Sequence, residues 1–304
     1  MKKIILIIVL ILFIVGCNSN TGPSTSVSDD EVYKGKVGLI FDFRDSMPPP
    51  RTTEDDSFPI GFNLKNDGAF DIEKGYLLLN IEKDLIEIEK GNVPEDLEII
   101  GRSRDNPEAG LDFMTFFVKS KKLSSETETI TSKILATACY EYQTHFSENV
   151  CLDTDYYNLK GMTKACNAED ISFSSGQGAP VAVTRVEPRM LEDNDKIKPM
   201  FVIYIDNVGL GEVISSDSVS DMCSSKTVDY DKINNIEVVA YLSGSLLECK
   251  PENPKLKDKE EIVRCTLEEG VGKDVQPYTT LLTIDIKYGY TETISQNIEI
   301  RTET

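Results

Sequence analysis

Seven cysteines are the side chains best suited to chemistry in this chain of 304 residues. A thiol can join another thiol in a disulfide, bind a metal as a thiolate or carry a lipid. The sequence has few candidate metal ligands, because it contains no Cys-x-x-Cys pair and only one histidine, His145. The same shortage disfavours acid–base catalysis, which depends mainly on histidine. We therefore predict no enzymatic activity, no catalytic residue, no metal site and no cofactor, which leaves disulfides and lipidation.

Cys17 stands where an exported protein would carry a lipid anchor. It follows Lys2, Lys3 and an apolar run over residues 4–15, which have the charge and length of a signal peptide. The run is too short to cross about 30 Å of hydrocarbon comfortably as a helix. Ile14-Val15-Gly16-Cys17 resembles the lipobox of bacterial and archaeal lipoproteins. The resemblance implies cleavage after residue 16 and a membrane anchor on Cys17, at the outer face of the cytoplasmic membrane or the cell surface. An uncut N-terminal anchor is the alternative.

The charge balance narrows the possible partners. Without residues 1–16 the chain has 32 − 2 = 30 basic and 52 acidic side chains, a formal charge near −22. Nucleic acid and anionic lipid surfaces are poor partners for such a chain. A hydrophobic content of 40% is enough for packed cores, and the length suits two domains. Six cysteines remain beside Cys17, an even number in an exported protein, so we expect disulfides.

Short runs of β-branched and aromatic residues, broken by Gly, Pro, Asn or Asp, are typical of antiparallel strands. The first half has such runs at 36–43, 58–65, 76–81, 111–119, 129–142 and 148–153. The second half has them at 181–186, 200–206, 235–243, 246–249, 262–267, 281–290 and 294–301. We therefore predict an all-β protein with a signal peptide at 1–16, a flexible tether at 17–31, domains at 32–155 and 179–304, and a linker at 156–178.

The two halves repeat a pattern. Phe62-Asn-Leu-Lys-Asn-Asp-Gly68 aligns with Ile203-Tyr-Ile-Asp-Asn-Val-Gly209 at a shift of 203 − 62 = 141 residues. Tyr140-Glu-Tyr142 aligns with Tyr288-Gly-Tyr290 at a shift of 288 − 140 = 148 residues. Because both matches occur in the same order, they indicate one fold used twice. Each copy has about 120 residues and roughly seven strands, which favours a two-sheet sandwich. The two Asn-x-Gly sequences are predicted to be strand-end turns in which Asn and Gly tolerate positive φ.

Strands that end in Asn-x-Gly and are followed by a later strand pair resemble the cell-adhesion-related (CARDB-like) immunoglobulin-like domains found in tandem on archaeal and bacterial surface proteins. The resemblance rests on residues 62–68, 179–186, 201–209 and 280–300. It implies two tandem immunoglobulin-like antiparallel β-sandwiches that serve in adhesion, binding or spacing without catalysis. The alternative role is an extracytoplasmic accessory subunit, which uses sheet edges or loop tips to dock on a membrane or secreted protein complex. The expected partner is a protein or a surface polymer.

One disulfide is predicted from the symmetry of a loop. A polar stretch with two prolines separates Cys249 from Cys265. Folding the chain back at Lys257 places the two cysteines opposite each other, because each lies eight residues from Lys257. Opposed residues of antiparallel strands are within disulfide reach. We therefore predict that Cys249 pairs with Cys265.

A hairpin is also predicted in the first half, with His145 as an exposed residue at its turn. Alignment with the second half places Cys139 and Cys151 on the outer face of this hairpin, where they can face each other. That pairing leaves Cys166 for Cys223. The alternative joins Cys151 to Cys166 and makes the linker, rather than the hairpin, the crosslinked segment.

Two further features could bind ligands. Acidic clusters at 54–56, 153–155 and 192–195 could offer oxygen ligands to calcium, although none has the 12-residue pattern of an EF-hand loop. Calcium-dependent ligand binding is therefore a remote alternative function. In the aromatic run 113–117, Phe113 and Phe117 share one strand face and are expected in the core. Phe116 on the other face could make an edge or interdomain contact.

Overall fold

The computed structural model describes residues 29–124, 127–159, 161, 163–224 and 226–303. Strands account for 57% of the chain and helices for 5%, so the prediction of an all-β fold is confirmed. The helical segments in these ranges are α1 (Asp29–Val32), α2 (Val219–Cys223) and the 3-10 turns η1 (Ser216–Ser218) and η2 (Tyr230–Lys232). No helix in this part of the chain is long and apolar enough to span a membrane.

Strands from both halves of the chain form the largest sheet, which we call the shared sheet. Its members are β2 (Arg51–Thr53), β4 (Ile72–Asn80), β6 (Glu95–Ile99), β8 (Thr129–Leu152), β12 (Glu212–Ile214), β13 (Glu237–Leu242), β14 (Ser245–Leu246) and β18 (Tyr278–Arg301). The order is β14-β13-β18-β8-β4-β6, and β12 and β2 also pair with β18. The halves therefore meet side by side through β8 and β18, and their division into two tandem immunoglobulin-like sandwiches stays a prediction.

Each half also has a small sheet of its own. The first small sheet contains β1 (Leu39–Phe43), β3 (Ser57–Asn66), β5 (Ile86–Lys90) and β7 (Gly110–Ser120), in the order β1-β3-β7-β5. The second contains β9 (Ile171–Ser172), β10 (Val181–Asp193), β11 (Lys196–Asn207), β15 (Glu248–Lys250), β16 (Glu260–Thr266) and β17 (Val271–Gly272). Its order is β15-β16-β11-β10-β9, with β17 on β11. β9 belongs to the segment 156–178 that the sequence predicts as a linker.

β8 and β18 are each 24 residues long because their alternation of inward and outward side chains never breaks. The buried large side chains occupy even-numbered positions, from Ile134 to Leu152 in β8 and from Leu282 to Ile300 in β18. The hairpin predicted within 129–153 is therefore wrong, and His145 lies inside β8. The two strands predicted at 281–290 and 294–301 are one continuous strand, β18. The sequences of 143–147 and 291–293 contain no Gly, Pro or Asn that would reverse the chain.

β8 and β18 pair antiparallel along their whole length, with Tyr140 opposite Tyr290 and Tyr142 opposite Tyr288. The sequence repeat aligns Tyr140 with Tyr288 and Tyr142 with Tyr290, so exchanging the halves reproduces the same pairs. An approximate two-fold axis therefore relates the halves, as in a symmetric dimer. The four rings contact one another across this axis, with centroids 5.5 to 6.4 Å apart.

The buried side chains of both halves form one continuous hydrophobic cluster. It joins the shared sheet to both small sheets, through Phe62 and Phe116 in the first and Phe201 in the second. Burial of each such side chain stabilises the fold by about 1.5 to 3 kcal/mol. The boundaries at 32–155 and 179–304 stay predictions, because the halves share both a sheet and a core.

The second half carries an insertion that crosses onto the first half. β12 pairs with β18 as far as Gly289 and β13 resumes opposite Lys287, so the chain between these strands leaves the sheet. α2 lies in this insertion and packs on β4 and β8. A second buried cluster forms there, made of Leu78, Cys139, Ile214, Val219 and Cys223.

Candidate functional site

Cys249 and Cys265 form a disulfide with Cα atoms 4.0 Å apart. They lie directly opposite each other in the antiparallel pair of β15 and β16. This is the pairing that the loop around Lys257 predicts. Its role is structural, because the disulfide closes the loop between two strands of the second small sheet.

The other two disulfides correct the predicted pairing. Cys139 joins Cys223 and Cys151 joins Cys166, each with Cα atoms 5.9 Å apart. Cys139 and Cys151 cannot pair, because both lie on the single strand β8, where a separation of 12 residues spans about 40 Å. The alternative pairing of Cys151 with Cys166 is the one present. Cys17, the predicted lipidation site, lies outside the described residues.

The acidic clusters contact the protein's own groups. Asp153 forms a buried ion pair with Lys164 at 2.7 Å, and Asp193 pairs with Lys198 at 3.2 Å. Carboxylates of the 54–56 cluster accept hydrogen bonds from neighbouring side-chain and backbone donors. Within the described ranges, no group of three or more His, Cys, Asp or Glu side chains is placed to hold a metal ion.

His145 belongs to a polar pair on the shared sheet. Its Nδ1 lies 2.7 Å from an Asp285 carboxylate oxygen, and its ring centroid is 5.7 Å from that of Tyr33. A neighbouring pocket of about 240 Å³ is lined by these aromatic residues together with Phe70, Gln143 and others. The contacts orient the imidazole within a strand rather than at a turn, and we assign it no catalytic role.

A hydrogen-bond network fixes the end of β3 to the shared sheet. Asn66 Oδ1 accepts hydrogen bonds from Tyr142 Oη at 3.1 Å and from Gly68 N at 3.3 Å. Tyr142 Oη in turn accepts one from Phe70 N at 3.4 Å. A Cβ atom on Gly68 would overlap the Tyr142 hydroxyl. The predicted strand-end turn is present, but glycine is needed for this close approach and not for a positive φ.

The same network recurs at the end of β11. Asn207 Oδ1 accepts hydrogen bonds from Tyr290 Oη and from Gly209 N, both at 3.2 Å. Gly211 N donates to Tyr290 Oη at 2.8 Å, and a Cβ atom on Gly209 would overlap that hydroxyl. The sequence repeat therefore corresponds to a repeated structural frame.

β1 and β10 are equivalent strands in this frame. Leu39 and Val181 lie opposite the two strand-ending asparagines. Leu39 N donates a hydrogen bond to the buried hydroxyl of Tyr140 at 3.3 Å, and Val181 N donates one to the buried hydroxyl of Tyr288 at 3.4 Å. Counting along each strand, Phe41 corresponds to Val183. The two strands differ in what happens at that position.

β10 pairs with β11 along one edge, and we call its other edge the inner edge. The segment that precedes β10 closes this inner edge. Gln177 Oε1 accepts a hydrogen bond from Val183 N at 2.8 Å, and Gln177 Nε2 donates one to Val183 O at 3.1 Å. β9 pairs with the next residues of β10, at Arg185 and Val186. Ala182 on this strand is only 1% exposed. The edge therefore has its backbone groups bonded and its side chains covered.

The inner edge of β1 is the edge on the side away from β3, and it is open. Arg44 N donates to Gly61 O of β3 at 2.8 Å, so alternate residues bond to β3 and the backbone groups of Phe41 point the other way. β1 ends its sheet, and within the described residues no strand or side chain bonds to Phe41 on this side. Ile40 is 39% exposed, although its counterpart Ala182 is almost fully buried.

An apolar groove, which we call the edge groove, runs along this open edge. It has a volume of about 300 Å³ and is lined by residues 36–42 of the first half, residues 208–210 of the second half and side chains of β8 and β18. Leu210 is 92% exposed at its rim. The volume is at the lower end of the range for small-molecule sites, roughly 300 to 1,000 Å³. It therefore suits a few side chains better than a large ligand.

The edge groove has more negatively than positively charged side chains in its lining. Asp42 and Glu292 line it together with one cation, Lys36. Burial raises the pKa of Glu292 above its usual value, and the nearby charge of Asp42 raises it further. Burial also raises the pKa of Tyr290 to about 12, so this hydroxyl is neutral at pH 7. An incompletely solvated carboxylate between apolar walls would be stabilised by a cation.

The sequence carried one unused signal for this groove. Glu292 is the one charged residue at an even-numbered position of β18, between Tyr290 and Ile294. A charged side chain on the core-facing side of a strand indicates either a partner or partial access to water. Nothing comparable marks Phe41, because its open edge depends on where other segments of the chain go.

The aromatic run in β7 has the opposite faces from those predicted. Phe113 and Phe117 are 59% and 43% exposed, whereas Phe116 is 1% exposed. The expectation that the first two lie in the core is therefore wrong. Arg44 and Lys90 lie over the two exposed rings, with the cationic groups 5.1 and 5.9 Å from the ring centroids. These cation–π contacts partly cover the apolar face.

No family model and no curated protein matches the chain. The solved structures that align with it include three bacterial proteins of low similarity. A DUF4466 family protein from Parabacteroides merdae is 7% identical, with 83% of this chain and 99% of that chain covered and a TM-score of 0.19. The C-terminal domain of the Streptococcus pyogenes antigen I/II-family protein AspA is 6% identical, with 88% and 100% covered and a TM-score of 0.18. The serine-rich repeat adhesion glycoprotein Srr1 from Streptococcus agalactiae is 9% identical, with 91% and 99% covered and a TM-score of 0.17. Such TM-scores are too low to support an inference about fold or function.

Proposed function

We propose that the chain is an exported, lipid-anchored surface protein that binds another protein and has no catalytic activity. In this proposal Cys17 carries the lipid, residues 17–31 form the tether, and each half is an immunoglobulin-like sandwich of one small sheet against part of the shared sheet. Three disulfides among the described residues are typical of an oxidising, extracytoplasmic compartment. Such a protein serves in adhesion, in binding or as a spacer.

The open edge of β1 carries the binding part of this proposal. An exposed edge strand offers N–H and C=O groups that can pair with another chain. Leu210 and Ile40 add exposed apolar surface beside those groups. This observation favours the second candidate, an accessory subunit that docks on a membrane or secreted protein complex, over a passive spacer. Calcium-dependent capture has less support, because the acidic clusters contact lysines and backbone donors of the same chain.

Mass spectrometry of the N-terminal peptide from isolated membranes tests the anchor. We expect a new N-terminus at a lipid-modified Cys17. Cys17→Ser should remove the lipid and leave the chain released or held by its uncut signal. A membrane-bound wild-type chain with an unmodified Cys17 would refute lipidation.

Photo-crosslinking on intact cells tests binding. A photo-reactive amino acid at Ile40 should capture one major partner protein. The matched control places it at Leu191, which is similarly exposed on the second small sheet. Capture at position 40 that does not exceed capture at position 191 would contradict a protein-binding role for this edge.

A further inference from the structure

We propose that the edge groove binds an extended segment of a partner protein, which adds antiparallel to β1 and points a lysine or arginine at Glu292. This inference rests on the proposed protein-binding function and specifies its ligand. It is drawn from three properties of the groove: the free backbone groups at Phe41, the way the equivalent site at Val183 is filled, and the charge of the lining.

The second half of the chain shows which groups can bond to the backbone of such a strand edge. At Val183 one side-chain amide, that of Gln177, supplies both an acceptor for the N–H and a donor for the C=O. A residue that exchanges both bonds with the residue opposite is the hydrogen-bonded pair of an antiparallel ladder. Phe41 presents the same two groups at the equivalent position of β1. A peptide residue opposite Phe41 would therefore complete the first half as Gln177 completes the second.

The register fixes which way the side chain of that peptide residue points. Directly opposed residues of neighbouring strands project their side chains to the same face. Phe41 faces the core and is 4% exposed, so the residue opposite it faces the floor of the edge groove. Tyr290, Glu292 and Ile294 belong to the lining there. A long side chain with an apolar stem and a cationic end matches this floor.

Charge decides between a basic partner and a second copy of this chain. The full chain has a formal charge of −20, and the groove itself contributes two carboxylates against one ammonium group. A second copy pairing through the same edge would bring Asp42 and Glu292 next to their own equivalents. A basic segment of a different protein would neutralise them instead.

Peptide binding to the full chain in lipid nanodiscs tests the inference. The probes are fluorescent ten-residue peptides of alternating valine and threonine, with lysine, leucine or glutamate at one central position. Fluorescence anisotropy should show the lysine peptide binding at least about tenfold more tightly than the glutamate peptide, with the leucine peptide between them. Equal binding of the lysine and glutamate peptides would overturn the assignment of Glu292 as the recognition residue.

Backbone methylation of the same probe tests strand addition. Methyl groups on the amide of the central lysine and on amides two residues away would face β1 and should abolish binding. Methyl groups on the intervening amides would face solvent and should leave affinity within about threefold, because those amides make no ladder bonds. Equal loss from both methylation patterns would overturn the strand-addition geometry.

Charge variants locate the site. Glu292→Lys should reject the lysine peptide and accept the glutamate peptide, and Glu292→Gln should remove the preference for lysine over leucine. Glu237→Lys makes the same charge change at an exposed position of the shared sheet and should behave as wild type. Circular dichroism of each variant checks that it is folded. Unchanged lysine preference in a folded Glu292→Gln would place the site elsewhere.

The remaining occupants give different outcomes. A dimer of the wild-type chain in sedimentation that dissociates in Glu292→Lys would assign the edge to a second copy. Peptide binding that requires deletion of residues 18–28 would assign it to the chain's own N-terminal segment. Either result would overturn the inference. Crosslinking at position 40 on cells without binding of any peptide would refute only this ligand and leave the proposed function standing.

Discussion

The two halves of the chain share one hydrogen-bonded frame but finish their inner strands differently. In the second half, Gln177 and β9 cover β10, so that Val183 is bonded and Ala182 is buried. In the first half, Phe41 has open backbone groups and Ile40 is exposed. The frame is therefore a property of the repeat, whereas the state of each edge is a property of the segments between the repeats.

The segments that precede β1 and β10 explain this difference. Gly35 N donates to Ser175 O at 2.9 Å, and Gly178 N donates to Gly35 O at 2.9 Å. Gly178 O also accepts from Ala69 N at 2.8 Å. Both preceding segments therefore meet on the side of the second half's edge. Two segments therefore occupy one side of the approximate two-fold axis. The equivalent space on the other side stays open as the edge groove.

The largest effect on stability is expected from the link between the halves. Replacing both Cys139 and Cys223 with serine should lower the free energy of unfolding by about 4.5 kcal/mol, because this disulfide has a sequence separation of 84. Urea titration without reductant measures the change. The control replaces Cys249 and Cys265, whose separation of 16 predicts a loss of about 3 kcal/mol. A smaller loss for the first pair than for the control would contradict the structural role assigned to the insertion.

The shared frame predicts equal losses in the two halves. Gly68→Ala and Gly209→Ala should each lower the free energy of unfolding by roughly 3 kcal/mol, because the added methyl group overlaps a buried tyrosine hydroxyl. Thermal or urea unfolding of the two variants gives the comparison.

A double variant tests the cause of that loss. Adding Tyr290→Phe to Gly209→Ala removes the overlapping oxygen, so the combined loss should be at least about 1 kcal/mol smaller than the sum of the single losses. Strictly additive losses would show that the tyrosine hydroxyl is not what requires glycine there.

The frame was largely accessible from the sequence because its signals are local. The Asn-x-Gly turns, the two tyrosine pairs and the loop between Cys249 and Cys265 are each a pattern of residues close together in the sequence. The hydrogen bonds that join the tyrosines to the asparagines are long-range. The long strands were misread as hairpins, since the alternation of apolar and polar residues is the same in both. The missing turn residues at 143–147 were the available correction.

The open edge was not accessible in this way. Phe41 and Val183 occupy equivalent positions in equivalent strands, and nothing within either strand distinguishes them. The difference depends on the path of the segment that carries Gln177, which is a long-range property. The reversed faces of Phe113 and Phe117 are a simpler error, because Phe116 and Val118 supply an equally apolar face of β7.

Opening the closed edge should make the halves alike. Gln177→Ala should lower the free energy of unfolding by about 2 kcal/mol, because it leaves the N–H and C=O of Val183 without their partners. Hydrogen exchange should show the Val183 amide protected in the wild type and exchanging as fast as the Phe41 amide in the variant. Gln143→Ala, which removes a hydrogen bond of 3.3 Å to Asp285, is the control and should change stability by about 0.5 kcal/mol or less. Persistent protection of Val183 in Gln177→Ala would show that another group closes this edge.

The smallest expected effect concerns the residues beneath the two edges. Thr144 and Glu292 are equivalent by the shift of 148 residues. Thr144 Oγ1 donates to Val181 O below the closed edge, whereas Glu292 has a carboxylate at the equivalent place below the open edge. A neutral hydroxyl suits a covered site, and a carboxylate there is destabilised by lost solvation.

Glu292→Gln should therefore stabilise the free protein in a pH-dependent way. The pKa of Glu292 is raised in the folded state, so its ionised form destabilises the fold above that pKa, and this penalty disappears as the pH decreases toward the unfolded value. Glutamine should raise the free energy of unfolding at pH 7 by only about 0.5 kcal/mol, because the group is partly solvated and screened. At pH 4 the variant and the wild type should be equally stable. Glu237→Gln, which removes one negative charge at an exposed position of the shared sheet, is the control for the change in net charge. If Glu292→Gln is less stable than the wild type at pH 7, or if its gain in stability persists at pH 4, then Glu292 already has a favourable partner in the free protein. Its carboxylate would then not need a cation from a ligand.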